Sequence, residues 1–295
     1  MVQPRLLVPV VVALLGCNGT SGGGTGDPHV TPNPTVFGSG QKIHNILGPA
    51  TWFNTMNMSS IACKSAGPTQ HLTTGQAVVA VDDFDETGAG ATGNVYIEDV
   101  PLDGNDPPPY SGVEVFAPSF TPPDHKAYPG DIVDFFGNFT EFLGPQSAGL
   151  FQGCRTLPEI EGNITPRFDG TPMAPLTLVQ AGTDPKRWDA LRGYSNARQW
   201  LGMLVRVEQV KLTDGAVCDT KCPNSDCSKC RYSAVLDIGG GIDSNDIFGI
   251  DNELFDLKGK GPPITPGRQF TAVTGIVTYF YGFKIAPRSI DDIEQ

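Results

Sequence analysis

The stretch Tyr128-Pro-Gly-Asp-Ile-Val-Asp-Phe-Phe-Gly-Asn-Phe-Thr-Glu-Phe-Leu-Gly144 decides the architecture of this 295-residue chain. It returns, altered, as Thr265-Pro-Gly-Arg-Gln-Phe-Thr-Ala-Val-Thr-Gly-Ile-Val-Thr-Tyr-Phe-Tyr-Gly282. Each copy sets Pro-Gly before an apolar run and follows it with Gly-x-x-Thr-x-Phe-x-Gly. In the first copy these are Gly137, Thr140, Phe142 and Gly144; in the second, Gly275, Thr278, Phe280 and Gly282. Pro-Gly reads as a turn. A glycine inside the strand that follows reads as a bulge or a barrel corner. Two matching units, 138 residues apart, predict two copies of one β domain.

Outward from the first copy, strands are expected at 76–82, 94–99, 111–117 and 131–142, the last bent at Gly137. The loop holding Pro107, Pro108 and Pro109 is too proline-rich for a sheet interior. Residues 41–74 read as irregular, with Trp52, Phe53, Met56 and Met58 packing on the first domain. Asp184 as N-cap and Pro185 at the first position predict a short helix up to about Leu191. The second copy is expected to open with a long strand at 200–212. Strands at 231–236 and 245–249 follow, then a pair at 267–281 around Gly275, and 283–293 closes the domain.

With 36 Gly, 26 Pro and no sustained helical period, the composition favours an all-β protein over α/β. The division expected is a signal at 1–16, a tether at 17–36, a first β domain at 37–182 and a second at 183–295. The ~260 residues beyond the tether suffice for two small domains.

Residues 1–16 read as an export signal: Arg5 gives a positive start, and Leu6 to Leu15 is an apolar run too short to span a bilayer. Leu14-Leu15-Gly16-Cys17 resembles the lipobox of bacterial lipoproteins. That resemblance implies cleavage before Cys17, fatty acylation of the palmitate type on Cys17, and a membrane-bound N-terminus. The alternative is an ordinary secretory signal that contains a cysteine. Several acyl chains, at about 0.8 kcal/mol per buried CH₂, make such an anchor stable. A Gly/Ser/Thr/Pro-rich tether follows, with a reach on the order of 25 Å. Asn18, rather than Asp, points to the outer membrane by the sorting rule of such lipoproteins. With Arg5 removed, the formal charge goes from −12 to −13. That balance works against binding a phosphate backbone, where Lys and Arg supply most of the affinity.

Beyond Cys17 six cysteines remain: Cys63, Cys154, Cys218, Cys222, Cys227 and Cys230. An even remainder in an exported chain reads as disulfides, with 15 pairings open. The pairing expected is Cys63–Cys154 plus two bonds inside the 218–230 insertion. The alternative for those four thiols is a zinc site.

Other candidate sites each stand beside a plainer reading. Asp82-Asp-Phe-Asp-Glu86 offers hard oxygen ligands for Ca²⁺, or is a solvated hairpin turn. Asp237, Asp243 and Asp246, with Asp251 and Glu253 beyond, offer a cation site on a glycine-rich loop, or a flexible connection. The four histidines, His29, His44, His71 and His125, lack metal-ligand spacing and read as surface residues. Ser111 and Ser195 lie outside any Gly-x-Ser-x-Gly elbow. No catalytic residue and no cofactor is expected.

The order Val-x-Ala-Val-Asp, Val-Tyr-Ile-Glu-Asp, Ser-Gly-Val-x-Val-Phe, then Pro-Gly-Asp-x-Val-x-Phe-x-Gly resembles the OB-fold-like modules of bacterial exported proteins. Such modules stand alone in surface lipoproteins or precede extracellular nuclease-type catalytic domains. The likeness covers about 76–166 well and 200–293 more loosely. It implies two small Greek-key β-barrels in tandem, and it says more about architecture than about activity. OB barrels bind oligonucleotides or oligosaccharides with exposed aromatics. Tyr96, Tyr110, Phe116, Tyr279 and Tyr281 are the candidates for such a face. Arg206, Lys211, Arg231, Lys284 and Arg288 are the basic residues interleaved with them.

The first functional expectation is therefore an outer-membrane lipoprotein of the cell envelope. It would act as a non-catalytic binding or structural module, held to the membrane by lipid and engaging an extracytoplasmic protein, glycan or nucleic acid. The second is a nucleic-acid- or oligosaccharide-binding protein associated with a secreted nuclease. The third is a hydrolase, which would require clustered, perturbed carboxylates in a pocket.

Overall fold

The first-quoted run folds as strand β4 (Ile132–Phe142), and its repeat as β11 (Gln269–Tyr279). Both are entered through the Pro-Gly turn, with Gly130 at φ 102° and Gly267 at φ 75°. The central glycines answer to close approach of the next strand. A Cβ on Gly137 would strike the Glu161 carbonyl and the Phe135 ring; one on Gly275 would strike the Ala286 carbonyl and the Ile285 side chain. Gly275 relieves that collision without breaking the ladder. The pair of strands expected there is thus one continuous strand.

The computed structural model describes residues 40–48, 69–84, 92–101, 105–116, 126–144, 155–182, 184–215, 217–218, 231–239 and 248–295, all within one compact unit. Around β4 closes a five-stranded barrel in the order β1 (Thr69–Val81), β2 (Val95–Asp99), β3 (Gly112–Val115), β5 (Leu157–Phe168), β4. Only the β3–β5 pair is parallel; the other four neighbours are antiparallel.

The second sheet runs β6 (Leu176–Val179), β7 (Leu204–Lys211), β11, β12 (Phe283–Ala286), β10 (Gly249–Asp251), β9 (Tyr232–Val235), β8 (Val217–Cys218). A last strand, β13 (Ile293–Glu294), pairs with β11. Here β10 and β12 are parallel, while β7–β11, β11–β12 and β9–β10 are antiparallel. A bridge from Leu212 to Leu236, backed by Thr213 N–H donating to the Val235 carbonyl, brings the end of β7 to the end of β9.

Each half has its own apolar core. Val78, Ile97, Val113, Phe135 and Ile160 fill the first barrel; Val205, Val277, Phe248, Phe283 and Ile285 belong to the second. A third, smaller cluster joins them: Val79, Ala80 and Tyr96 of the first meet Leu204, Leu254, Ile276 and Ala286 of the second. This explains why all five residues of β2 are buried. Val95 and Ile97 face the barrel interior, and Tyr96 and Glu98 face the seam.

One end of the first barrel is covered by helix α1 (Ile43–Leu47), whose Ile43 and Leu47 join the core. The buried Asp99 carboxylate holds it, accepting from Ile43 N (3.0 Å), His44 N (3.0 Å) and Gln76 Nε2 (3.1 Å).

Several boundaries differ from expectation. β1 begins seven residues before 76, since Gly75 (φ 71°) carries the strand through a register shift instead of ending it. β5 was not expected as a strand; Pro158 and Pro166 mask its pattern. β6, placed by sequence with the first half, pairs with β7 in the second sheet. The helix at Pro185–Leu191 forms as a 3₁₀ helix, with the Asp184 carboxylate accepting from Lys186 N at 2.9 Å. Residues 1–39, with Cys17, lie outside the described residues. So do Trp52, Phe53, Met56, Met58, Cys63, Cys154, Cys222, Cys227, Cys230, Asp243, Asp246 and His125.

Candidate binding cleft

Where the barrel meets the second sheet lies a cleft of about 550 Å³. The barrel half supplies Asp82, Glu114, Phe116, Glu141, Phe142, Glu159 and Glu161; the half built on the second sheet supplies Arg231, Glu253, Tyr279 and Phe280. Strand alternation places the acids. Glu114 lies on β3 and Glu159 on β5, directly paired across the parallel junction. Glu253 follows β10 and accepts from Tyr96 Oη at 2.8 Å, a bond across the seam.

Burial and neighbouring charge favour the protonated forms of Glu114 and Glu159. Burial, then the Glu253 and Glu159 charges, raises Glu114 well above it; Asn94 Nδ2 donates to Glu114 Oε1 at 2.7 Å. Burial, with Glu161, Glu253 and Glu141 nearby, pushes Glu159 up to about 8. Asp251, behind Glu253, rises to about 7 through burial and the Glu253 charge, against the pull of Lys284 and Arg231. Burial raises Tyr96 well above the usual phenol range. The Arg231 guanidinium sits 3.8 Å over the Phe280 ring, a cation–π contact on the cleft wall.

The flank of the cleft is pinned by a buried ion pair. Arg198 Nη2 donates to Glu141 Oε1 at 2.6 Å, while Nη1 reaches the Thr156 carbonyl and hydroxyl. Tyr194 Oη donates to the Thr156 carbonyl at 2.8 Å, and the short helix Tyr194–Ala197 with its 3₁₀ continuation carries both side chains.

The aromatics proposed as one binding face are dispersed. Tyr96 and Tyr279, each 2% exposed, are buried, and the Tyr110 side chain joins the first core. Phe116 (41% exposed) lies at the cleft, and Tyr281 (40%) stands beyond it with its ring edge-on to Phe280. The carboxylate cluster was missed from sequence, because its members come from separate strands and meet only on folding. Asp82, Asp251 and Glu253 had been noted, each for a different site.

Asp82, at the rim of the cleft, accepts from Phe84 N at 3.1 Å, which closes a local turn. The remaining candidates fall elsewhere. Asp237 pairs with Lys211 Nζ at 3.5 Å. His44 contacts Asp99 at 3.1 Å and His71 contacts Gln41 Oε1 at 2.8 Å. Cys218 ends β8. Ser111 Oγ is buried and unpartnered. Among the described residues, no three His, Cys, Asp or Glu side chains are placed to hold a metal ion. No described helix is long and apolar enough to cross a membrane. A second, more open groove of about 1180 Å³ runs past Arg187, Arg192 and Lys211. Its cations are engaged: Arg187 with Gln209, Arg192 with Asp189 and the Ile238 carbonyl, Lys211 with Asp237.

No protein-family model, curated protein or solved structure matches this chain.

Proposed function

We propose that the protein is a lipid-anchored, extracytoplasmic binding module of two tandem OB-type barrels, with the cleft between them as its ligand seat. The tandem reading rests on pairing. In the first half β1 pairs with β4, β4 with β5, β5 in parallel with β3, and β3 with β2; with β6, β8 and β13 set aside, the second half repeats this with β7, β11, β12, β10 and β9. The anchor rests on the lipobox-like Leu14-Leu15-Gly16-Cys17 and the tether behind it. Disulfides from the six remaining cysteines belong to the same reading.

The observation that carries the binding assignment is the convergence of aromatics and carboxyls from both barrels on one cleft. Carboxyls held protonated by burial both donate and accept hydrogen bonds, and Phe116, Phe142 and Phe280 offer apolar faces. Such a wall suits a neutral or cationic, hydroxyl-rich ligand, a glycan above all. It repels a polyanion. The basic residues proposed for nucleic acid are spent on other partners: Arg206 on Glu294, Lys211 on Asp237, Arg288 on Asp292, Arg231 against Phe280, and Lys284 is buried.

A second reading has its own support. Paired carboxyls with separated proton affinities are the equipment of glycoside hydrolysis, one as acid and its partner as base or nucleophile. Glu114 and Glu159, both raised above the ordinary range by burial beside Glu253, support the hydrolase expectation.

The test titrates the full chain with neutral N-acetylglucosamine oligomers, chitosan oligomers and oligo(dT), reading binding by calorimetry and cleavage by new reducing ends. Saturable glycan binding, weakened tenfold or more by Glu114→Gln, is expected, with no new reducing ends. Released ends would establish the hydrolase instead. Binding of oligo(dT) alone would overturn the assignment. Intact mass of the membrane-fraction protein tests the anchor: acyl mass is expected on Cys17, and Cys17→Ser should move the chain to the soluble fraction.

A further inference from the structure

Carboxyl groups from the two barrels face each other along the seam as well as inside the cleft. Glu98 on β2 is buried at the barrel contact, accepting from Leu204 N at 2.9 Å, with Asp99 as its charged neighbour. Glu114 faces Glu253, Glu159 and Asp82, with Arg231 the cation in range. Glu159 faces Glu161, Glu253 and Glu141. On the second barrel, Asp251 faces Glu253, with Lys284 and Arg231 as cations. Acids outnumber bases across this contact, and the apolar cluster that closes it is small beside the core of either barrel.

We propose that this seam is a pH-sensitive latch, closed while its carboxyls are protonated and opening between the two intact barrels as they ionise. The direction follows from their proton affinities. Burial raises Glu98 and Glu159 to about 8 and Asp251 to about 7. Once the barrels part, water restores each to the ordinary range near 4. The closed state therefore binds the extra protons, is fully favoured below about pH 4, and loses that advantage as pH rises through 7 and 8. Each such group multiplies the open-to-closed ratio by up to about tenfold per pH unit between its two values.

Opening, rather than unfolding, is the expected outcome because most of each core lies within one half, with Phe142 and Leu157 of the first reaching into that of the second. Segment 169–175 joins the first barrel to β6 of the second sheet, with Met173 packed on the seam cluster. The bonds at risk are those that cross: Tyr96 to Glu253, Leu204 N to Glu98, Arg288 Nη1 to the Val79 carbonyl, Tyr110 N to the Gln199 carbonyl, Arg198 to Glu141, and Tyr194 to Thr156. The inference holds whatever occupies the cleft.

The experiment is small-angle X-ray scattering of the full chain carrying Cys17→Ser, from pH 5 to 9.5, with circular dichroism on the same samples. Hydrogen exchange at the Leu204 and Tyr110 amides, corrected for intrinsic rates, is followed in parallel. We expect the radius of gyration and exchange at both amides to increase above pH 7 while the β-sheet signal stays constant. The variant Glu98→Gln/Glu159→Gln, which fixes the uncharged form, should stay closed at pH 9. A radius unchanged to pH 9.5 would overturn the latch, as would expansion coinciding with loss of the β signal. Should the double variant fail to fold, the native titration decides alone.

Discussion

Arg198 and Glu141 show how one residue fixes the relation of two domains. Their side chains are 3% and 10% exposed, so neither charge has water to fall back on. Removing one partner of a buried pair strands the other. Arg198→Ala should cost about 3–5 kcal/mol in chemical denaturation, whereas Arg198→Met with Glu141→Leu should recover much of that loss. Tyr96→Phe removes the hydroxyl that meets Glu253 across the seam and leaves the ring in place. It should cost about 1–2 kcal/mol, and the loss should shrink in the background of Glu253→Gln. At this scale the sequence was least legible. The sequence offered five aromatics as a binding face and about half of them as core, without saying which: Tyr96 is buried where the two halves meet and Tyr279 inside the second core, against Tyr194 and Phe283.

Among the elements, β4 and β11 were legible because the Pro-Gly turn and the central glycine perform the same task in both. Gly137→Ala and Gly275→Ala should each destabilise the protein, by about 1–3 kcal/mol or more, because the obstacle is a neighbouring backbone that cannot rotate away. A midpoint shift in only one of the two would break the parallel between the halves. β5 escaped notice for two reasons: its prolines, and a distal half that is largely exposed and so carries no apolar alternation. The plug α1 was illegible as well, since its five residues are too few for a helical period. It depends on Asp99 at the end of β2. Asp99→Ala leaves the Ile43 amide buried without an acceptor, and a loss of about 1–3 kcal/mol is expected, with increased hydrogen exchange confined at first to residues 43–47.

For the whole molecule, thermal stability should fall as pH rises through 7 to 8. Glu98, Glu159 and Asp251 hold protons in the folded state that the unfolded chain releases near pH 4, so alkalinity favours unfolding. A melting series from pH 5 to 9 checks this; an unfolding temperature that climbs with pH would contradict it. Glu98→Gln should flatten the slope. The all-β class was legible from glycine and proline, and β4 and β11 from the two matching runs. The cleft was not: Glu114 and Glu159 become neighbours only when the first barrel closes, and Glu253 joins them only when the second sheet packs against it.

The Asp99 clasp on α1 also has a mechanical meaning if the chain is tethered at Cys17. Any pull along the tether enters the barrel at Gln41–Leu47, and the acceptor bonds of Asp99 bear the load together instead of failing one by one. Gln41 shares that load with β1, where its N–H meets the Leu72 carbonyl and its backbone bridges Thr73, so plug and barrel wall would resist the pull side by side.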